Sequence, residues 1–173
     1  MKKLTILTAI IIILLCSIKS EVIIIPKEAI RFRVIANSNT KSDQEIKKEV
    51  VTELNKDIKE LKLIPKDLET TRNYIKRSIP TFSQTIEQTL NRLNVDAEYS
   101  IKYGMNYFPE KKYKGVVYEE GEYESLVIKL GDGKGDNFWC VLFPPLCLLE
   151  GEETDTENVE YTSFIKELIE KYL

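Results

Sequence analysis

Histidine is absent from all 173 residues. Mechanisms of the Ser-His-Asp and Cys-His kind are therefore excluded within this chain. Zinc sites built with imidazole go with them, and three cysteines cannot complete a cysteine-only structural zinc site. Any catalysis would fall to carboxylates, Lys, Tyr or Cys. An excess of positive charge is missing too. With 25 basic against 28 acidic side chains the formal net charge is −3, so nucleic acid is not an expected partner. Glycine is scarce, at seven residues. Its one cluster, Gly131-Asp132-Gly133-Lys134-Gly135, lacks the spacing and the Lys-Ser/Thr ending of a phosphate loop. It leads into an aromatic run instead of a helix N-terminus, so it reads as a turn. Asp132 and Asp136 lack the remaining ligand positions of a calcium loop. Acidic pairs such as Glu122 and Glu124 have the chemistry for acid–base work, but nothing in the sequence sets them in a cleft, and they read as surface charge. No catalytic residue, metal or cofactor is expected.

Apolar residues are plentiful, at 43% of the chain, so a folded core is expected. The densest apolar run opens the chain. Lys2 and Lys3 precede Leu4 to Ile18, which carry no charge. As a helix that run spans about 22 Å, short of the roughly 30 Å of a hydrocarbon core. Residues 1–20 therefore read as a secretory signal peptide, cleaved after Ser20, with an uncleaved N-terminal anchor as the alternative. Lipid attachment at Cys16 is disfavoured by Leu15, which stands where a small residue is needed. Without the segment the protein keeps 22 basic against 28 acidic side chains, and it is the size of one domain.

Residues 28–149 read as that domain. Ile30, Phe32, Val34 and Ala36 alternate with Arg31, Arg33, Ile35 and Asn37, the pattern of a strand with one buried face. Ser42-Asp43-Gln44-Glu45 has the form of a capping box. Ile46, Val50, Leu54, Ile58 and Leu61 then predict an amphipathic helix over 43–61. Pro65 suits the first position of a second helix, with Leu68, Ile75 and Ile79 inward. Pro80 ends or kinks it, and Phe82, Ile86, Leu90 and Leu93 mark a third. From Val95 the period becomes two, and Val95 to Tyr103 reads as a strand. Val116–Tyr118 and Tyr123–Leu130 read as a hairpin across Glu119-Glu120-Gly121-Glu122. Phe138 to Phe143 is apolar enough for a central strand. The expected class is α+β: an antiparallel or mixed sheet of about four or five strands, three consecutive helices on one face, and a C-terminal helix. Residues 150–160 hold six acids and read as a linker, and 161–173 carry the stripe of that last helix.

Two segments read as more than routine surface or core. Arg31, Arg33, Asn37 and Ser38 make a compact donor-rich patch, or else a charged strand edge. Phe138 to Cys147 packs Trp139, Pro144 and Pro145 between aromatic and apolar neighbours, which is good interface material. Cys140 and Cys147 flank the proline bend. They pair as a disulfide if the bend folds them together, or stay as two buried thiols.

These segments carry a resemblance to a known family. Arg31-Phe32-Arg33-Val34-Ile35-Ala36-Asn37-Ser38 with Asp43-Gln44 is the first stretch. Phe108-Pro109-Glu110-Lys111-Lys112-Tyr113-Lys114-Gly115, running to Tyr118 and Gly121-Glu122-Tyr123-Glu124-Ser125-Leu126, is the second. Gly131 to Cys147, with Trp-Cys-Val-Leu-Phe-Pro-Pro-Leu-Cys, is the third. Over about residues 30–149 the chain resembles the stage II sporulation protein R family of endospore-forming Firmicutes. It departs from the family at Asn39, at Glu119-Glu120 and at Phe138. The resemblance implies a protein secreted from the forespore into the space between the forespore and mother-cell membranes. There it would activate a membrane-embedded aspartic protease that processes the sigma-E precursor, with no catalysis of its own. Arg31, Arg33, Asn37, Ser38, Trp139, Pro144 and Pro145 are the expected contacts with that partner. The protein would sit near a membrane through the protease or an uncleaved N-terminus. The alternative is an exported carboxylate-dependent enzyme acting on cell wall.

Overall fold

The computed structural model describes residues 23–60, 67–113, 116–147, 166–167 and 169–171. Residues 1–20, expected as a targeting segment, and residues 150–160, expected as a linker, lie outside them. Among the described residues no helix is long and apolar enough to cross a membrane. The strands are β1 (Ile23–Ile24), β2 (Ile30–Ile35), β3 (Tyr99–Phe108), β4 (Lys111–Tyr113), β5 (Val116–Tyr118), β6 (Gly121–Leu130) and β7 (Asn137–Phe143). The helices are α1 (Lys41–Glu60) and α2 (Leu68–Arg92). Residues 166–167 and 169–171 are helical as well, and Ile169 packs on Ile25, Ala29, Tyr118, Val141 and Leu146.

The expectation of one sheet under three consecutive helices is corrected on both counts. The strands form two sheets: a mixed four-stranded one ordered β3-β6-β2-β7, and a small one ordered β1-β5-β4. In the larger sheet β2 runs parallel to β6, and the other pairings are antiparallel. The second and third helices are one. α2 runs through Pro80 because Ile75, Ile79, Phe82, Ile86 and Leu90 stay in phase across it. Burying such side chains is worth about 1.5–3 kcal/mol each, enough to hold the helix past one lost hydrogen bond. Its N-cap is Asp67, whose side chain accepts from Thr70 N at 2.8 Å, and Asn94 at φ 54° turns the chain out. Pro65 lies outside the described residues.

α1 starts slightly earlier than the capping box suggests. Thr40 is its cap, with Oγ1 accepting from Asp43 N at 3.2 Å. Both helices bury Val50, Leu54, Ile75, Phe82 and Ile86 against Ile30, Phe32, Val34, Leu126 and Ile128 of the sheet. The expected hairpin of β5 with β6 does not form. β5 pairs with β1 and β4, and β6 pairs with β3 and β2. β7 lies at an edge of the sheet, and β2 is central.

Candidate functional site

Alternation in β2 sends Arg31, Arg33 and Ile35 to the sheet face away from the helices. Register then sets Ser125 and Val141 beside Arg31, and Val127 and Trp139 beside Arg33. Arg31 is 1% exposed. Its guanidinium carbon lies 3.3 Å from the ring centre of Tyr123, 5.4 Å from Phe108 and 5.7 Å from Tyr118. Nη1 donates to the Glu119 carbonyl at 3.3 Å, whereas Nε, Nη2 and the buried Tyr123 hydroxyl have no hydrogen-bond partner among the described residues. Burial pushes the Arg31 guanidinium below its usual range, with Tyr123, Tyr118 and Glu119 pulling the other way. Arg31 thus joins the two sheets from inside and is not free to meet a partner.

Arg33 and Trp139 stand next to it and are only half-buried. The Arg33 guanidinium lies 4.7 Å from the Phe108 ring centre, and burial lowers it. Phe108 meets Trp139 edge-to-face at 5.1 Å and Tyr123 at 6.3 Å. Lys111 Nζ lies 5.2 Å over the Trp139 ring. Phe108, Lys111 and Tyr123 sit within the family-like stretches, but nothing in their spacing marks them as companions of Arg31 and Arg33.

Asn37 and Ser38 are engaged within the chain. Asn37 Nδ2 and Ser38 Oγ both donate to Asp43 Oδ2, and Asn37 Oδ1 accepts from Asp132 N at 2.9 Å. Lys134 N and Gly135 N donate to the carbonyls of Asn37 and Ala36, each at 2.9 Å. The glycine turn is therefore laced to the Ala36–Asn39 loop at the start of α1. This explains the glycines. Gly131 has φ 54°, and a Cβ there would strike the Asn37 amide; one on Gly135 would strike the Ser38 carbonyl. Two separate family-like motifs are one structural knot. Asp43 is held below the usual carboxylate range by Ser38 and Asn37.

Cys140 and Cys147 are joined as a disulfide, with Cα atoms 5.2 Å apart. The bend between them, which has a cis Phe143–Pro144 bond, turns inward. Pro144 is buried and Pro145 half-buried, and the Leu146 and Cys147 amides both donate to the Val141 carbonyl at 3.1 Å. Neither proline stands beside Arg33: the bend closes over Ile25, Ala29 and Tyr118 through Val141 and Leu146.

A groove of about 550 Å³ opens at the far end of the sheet, lined in part by Asp43, Asp96, Glu98 and Asp132. It is the place a carboxylate enzyme would use. Asp43 and Asp132 are both held below the usual range, Asp132 by Lys134, so neither keeps a proton to give at neutral pH. Among the described residues no cluster suits a metal ion.

Comparison with known proteins follows the same residues. The family model for stage II sporulation protein R matches residues 26–153. A relative named stage II sporulation protein R, from Bacillus subtilis (strain 168), is 36% identical over 132 residues, 76% of this chain. The chain spans 59% of that relative's length. No solved structure matches. The match begins at Pro26, just after β1, and runs through both helices and the remaining strands to beyond the Cys140–Cys147 disulfide: this chain belongs to the stage II sporulation protein R family, a family of sporulation proteins.

Proposed function

We propose that this protein is a secreted sporulation signal. It leaves the forespore, enters the space between the forespore and mother-cell membranes, and activates a membrane-embedded aspartic protease that processes the sigma-E precursor. Family membership supports the sporulation role. The observation that carries the docking part is the half-open face around Arg33 and Trp139, a stacked cation and indole beside a closed aromatic interior. Such residues dominate binding energy at interfaces. Activation is then a population shift: the protein binds the active state of the protease more tightly than the inactive one. The chain itself carries no reaction in this reading. Arg33 and Trp139 touch the partner, Arg31 positions the aromatic bed beneath them, and Asn37 and Ser38 hold the loop beside them.

The test is an activation assay. The full chain is exported to the outer face of cells that carry the protease and the sigma precursor of the same host. Shortening of the precursor only when this protein is present is the expected result. No shortening, with the protein folded and exported, would sink the reading and return attention to the groove at Asp43 and Asp132.

A further inference from the structure

The face away from the helices is closed over Arg31 and open beside it. Register aligns Lys102, Val127, Arg33 and Trp139 in one row across β3, β6, β2 and β7. Ser100, Lys129, Ile35 and Asn137 form the next row. Lys111 reaches over the Trp139 ring from β4. Neither row carries a carboxylate. The only acids on these four strands, Glu122 and Glu124, alternate onto the helix side, where Arg72 and Tyr103 hold Glu124. Carboxylates at the rim have cations of their own: Asp132 bonds Lys134 at 2.8 Å and draws on Lys129 as well, and Glu110 pairs with Lys112 at 3.3 Å. Arg33 is in none of the ion pairs among the described residues, and its buried Nε has no hydrogen-bond partner. The half-face thus carries cations and no carboxylate, on a chain whose net charge is −3.

We infer that this half-face docks an acidic segment of the partner protein, its carboxylates meeting Arg33, Lys102 and Lys111 and an apolar side chain resting on Ile35 and Trp139. The inference rests on the reading of the protein as an activator that works by docking. Charge complementarity selects the partner and speeds its approach. A protein segment fits better than an anionic lipid surface. Surface-bound proteins insert apolar side chains among the lipids, and Trp139 is pinned against Phe108 under Lys111. Among the described residues the exposed large apolar side chains are elsewhere: Met105 and Tyr107 alternate onto the other face, and Ile24 lies on β1.

Two measurements test this. In the activation assay, Lys102→Glu combined with Lys111→Glu should cut precursor shortening roughly tenfold or more, with the circular dichroism spectrum and melting temperature kept. Glu122→Lys, a reversal on the opposite face, should leave it unchanged. A double variant as active as wild type overturns the inference. The second measurement does not depend on the protease. Trp139 is the only tryptophan, so its emission reports on the half-face. A synthetic peptide of alternating Glu and Leu should shift that emission, and about 0.5 M salt should abolish the shift. A matched Lys-Leu peptide should do nothing. Equal response to both peptides, or to neither, overturns the inference. So does a response to phosphatidylglycerol vesicles without one to the Glu-Leu peptide. A wild type that binds the Glu-Leu peptide but never activates would instead mark the failure of the functional reading.

Discussion

The two faces of the larger sheet solve opposite problems. Toward the helices the strands present Ile30, Phe32, Val34, Leu126 and Ile128, all fully buried in an aliphatic and aromatic core. Away from the helices the same strands present Arg31, Arg33, Ser125 and Trp139, covered only in part by the small sheet and Phe108. The first face is held by transfer of apolar surface out of water, which is strong and indifferent to detail. The second is held by a cation among rings, which is weaker and depends on geometry. Desolvating the Arg31 charge is costly, so the second face gives up stability relative to an apolar filling. What it gains is an aromatic bed that fixes Arg33 and Trp139 at the opening.

That contrast breaks most visibly on the first face. Phe32→Ala removes a ring at the centre of the core and should cost about 3–5 kcal/mol, read as a lower urea midpoint at unchanged slope. Arg31→Ala, one residue away on the other face, should cost less, about 2–3 kcal/mol, because it empties the ring cage and frees the Glu119 carbonyl. Arg31→Met should come within about 1 kcal/mol of wild type, since it fills the space without a buried charge. If Arg31→Met were as damaging as Arg31→Ala, the guanidinium would hold the two sheets together by its charge and not by its volume.

The knot that ends both faces comes next. Gly135→Ala drives a Cβ into the Ser38 carbonyl and Gly131→Ala adds a left-handed backbone penalty to a clash with Asn37. Each should cost about 2 kcal/mol or more. Gly133→Ala, at φ 63° against the movable Lys129 stem, should cost about 1 kcal/mol. A melting-temperature series that fails to rank Gly133→Ala mildest would mean the lacing to Asn37 and Ser38 is not what the turn requires. Reducing the Cys140–Cys147 bond releases a loop closed over a separation of seven residues. It should cost about 2 kcal/mol, read from urea midpoints with and without dithiothreitol.

Much of the first face was legible in the sequence, and little of the second. Period-two alternation in Ile30–Ala36 and the helical stripe from Ile46 to Ile58 report burial directly. The same periodicity is silent about partners. Val116–Tyr118 and Tyr123–Leu130 look like a hairpin because a glycine separates two alternating runs. β5 instead joins β1, more than ninety positions away along the chain. The apolar density of Phe138–Phe143 predicts a central strand, yet β7 is an edge. Its apolar residues reflect burial on both faces, Cys140 and Leu142 toward the helices and Val141 toward Ile25 and Tyr118. Pro80 signalled a helix end by its local chemistry, and a stripe that holds phase across it overrode that signal. Arg31 was legible as unusual but not as interior, because its three rings come from β3, β5 and β6.

The smallest effect tests whether the knot is electrostatic as well as steric. Asp43 receives Ser38 Oγ and Asn37 Nδ2, and these bonds hold its carboxyl below its ordinary value. In the unfolded chain the bonds are gone and the carboxyl returns to about 3.9. Between the two values the unfolded state binds more protons than the folded one, so stability rises with pH across that window. The contribution is complete above the unfolded value and is lost as pH falls through the folded one. Asp43→Asn keeps the shape of the acceptor but cannot titrate. Its urea midpoint should therefore fall less than that of wild type when the pH is lowered from about 5 to about 3. Parallel curves for the two proteins would show that Asp43 shapes the loop through geometry alone. The steeper loss in wild type would show that charge helps to fasten the Ala36–Asn39 loop to the start of α1, at the end of the strand that carries Arg31 and Arg33.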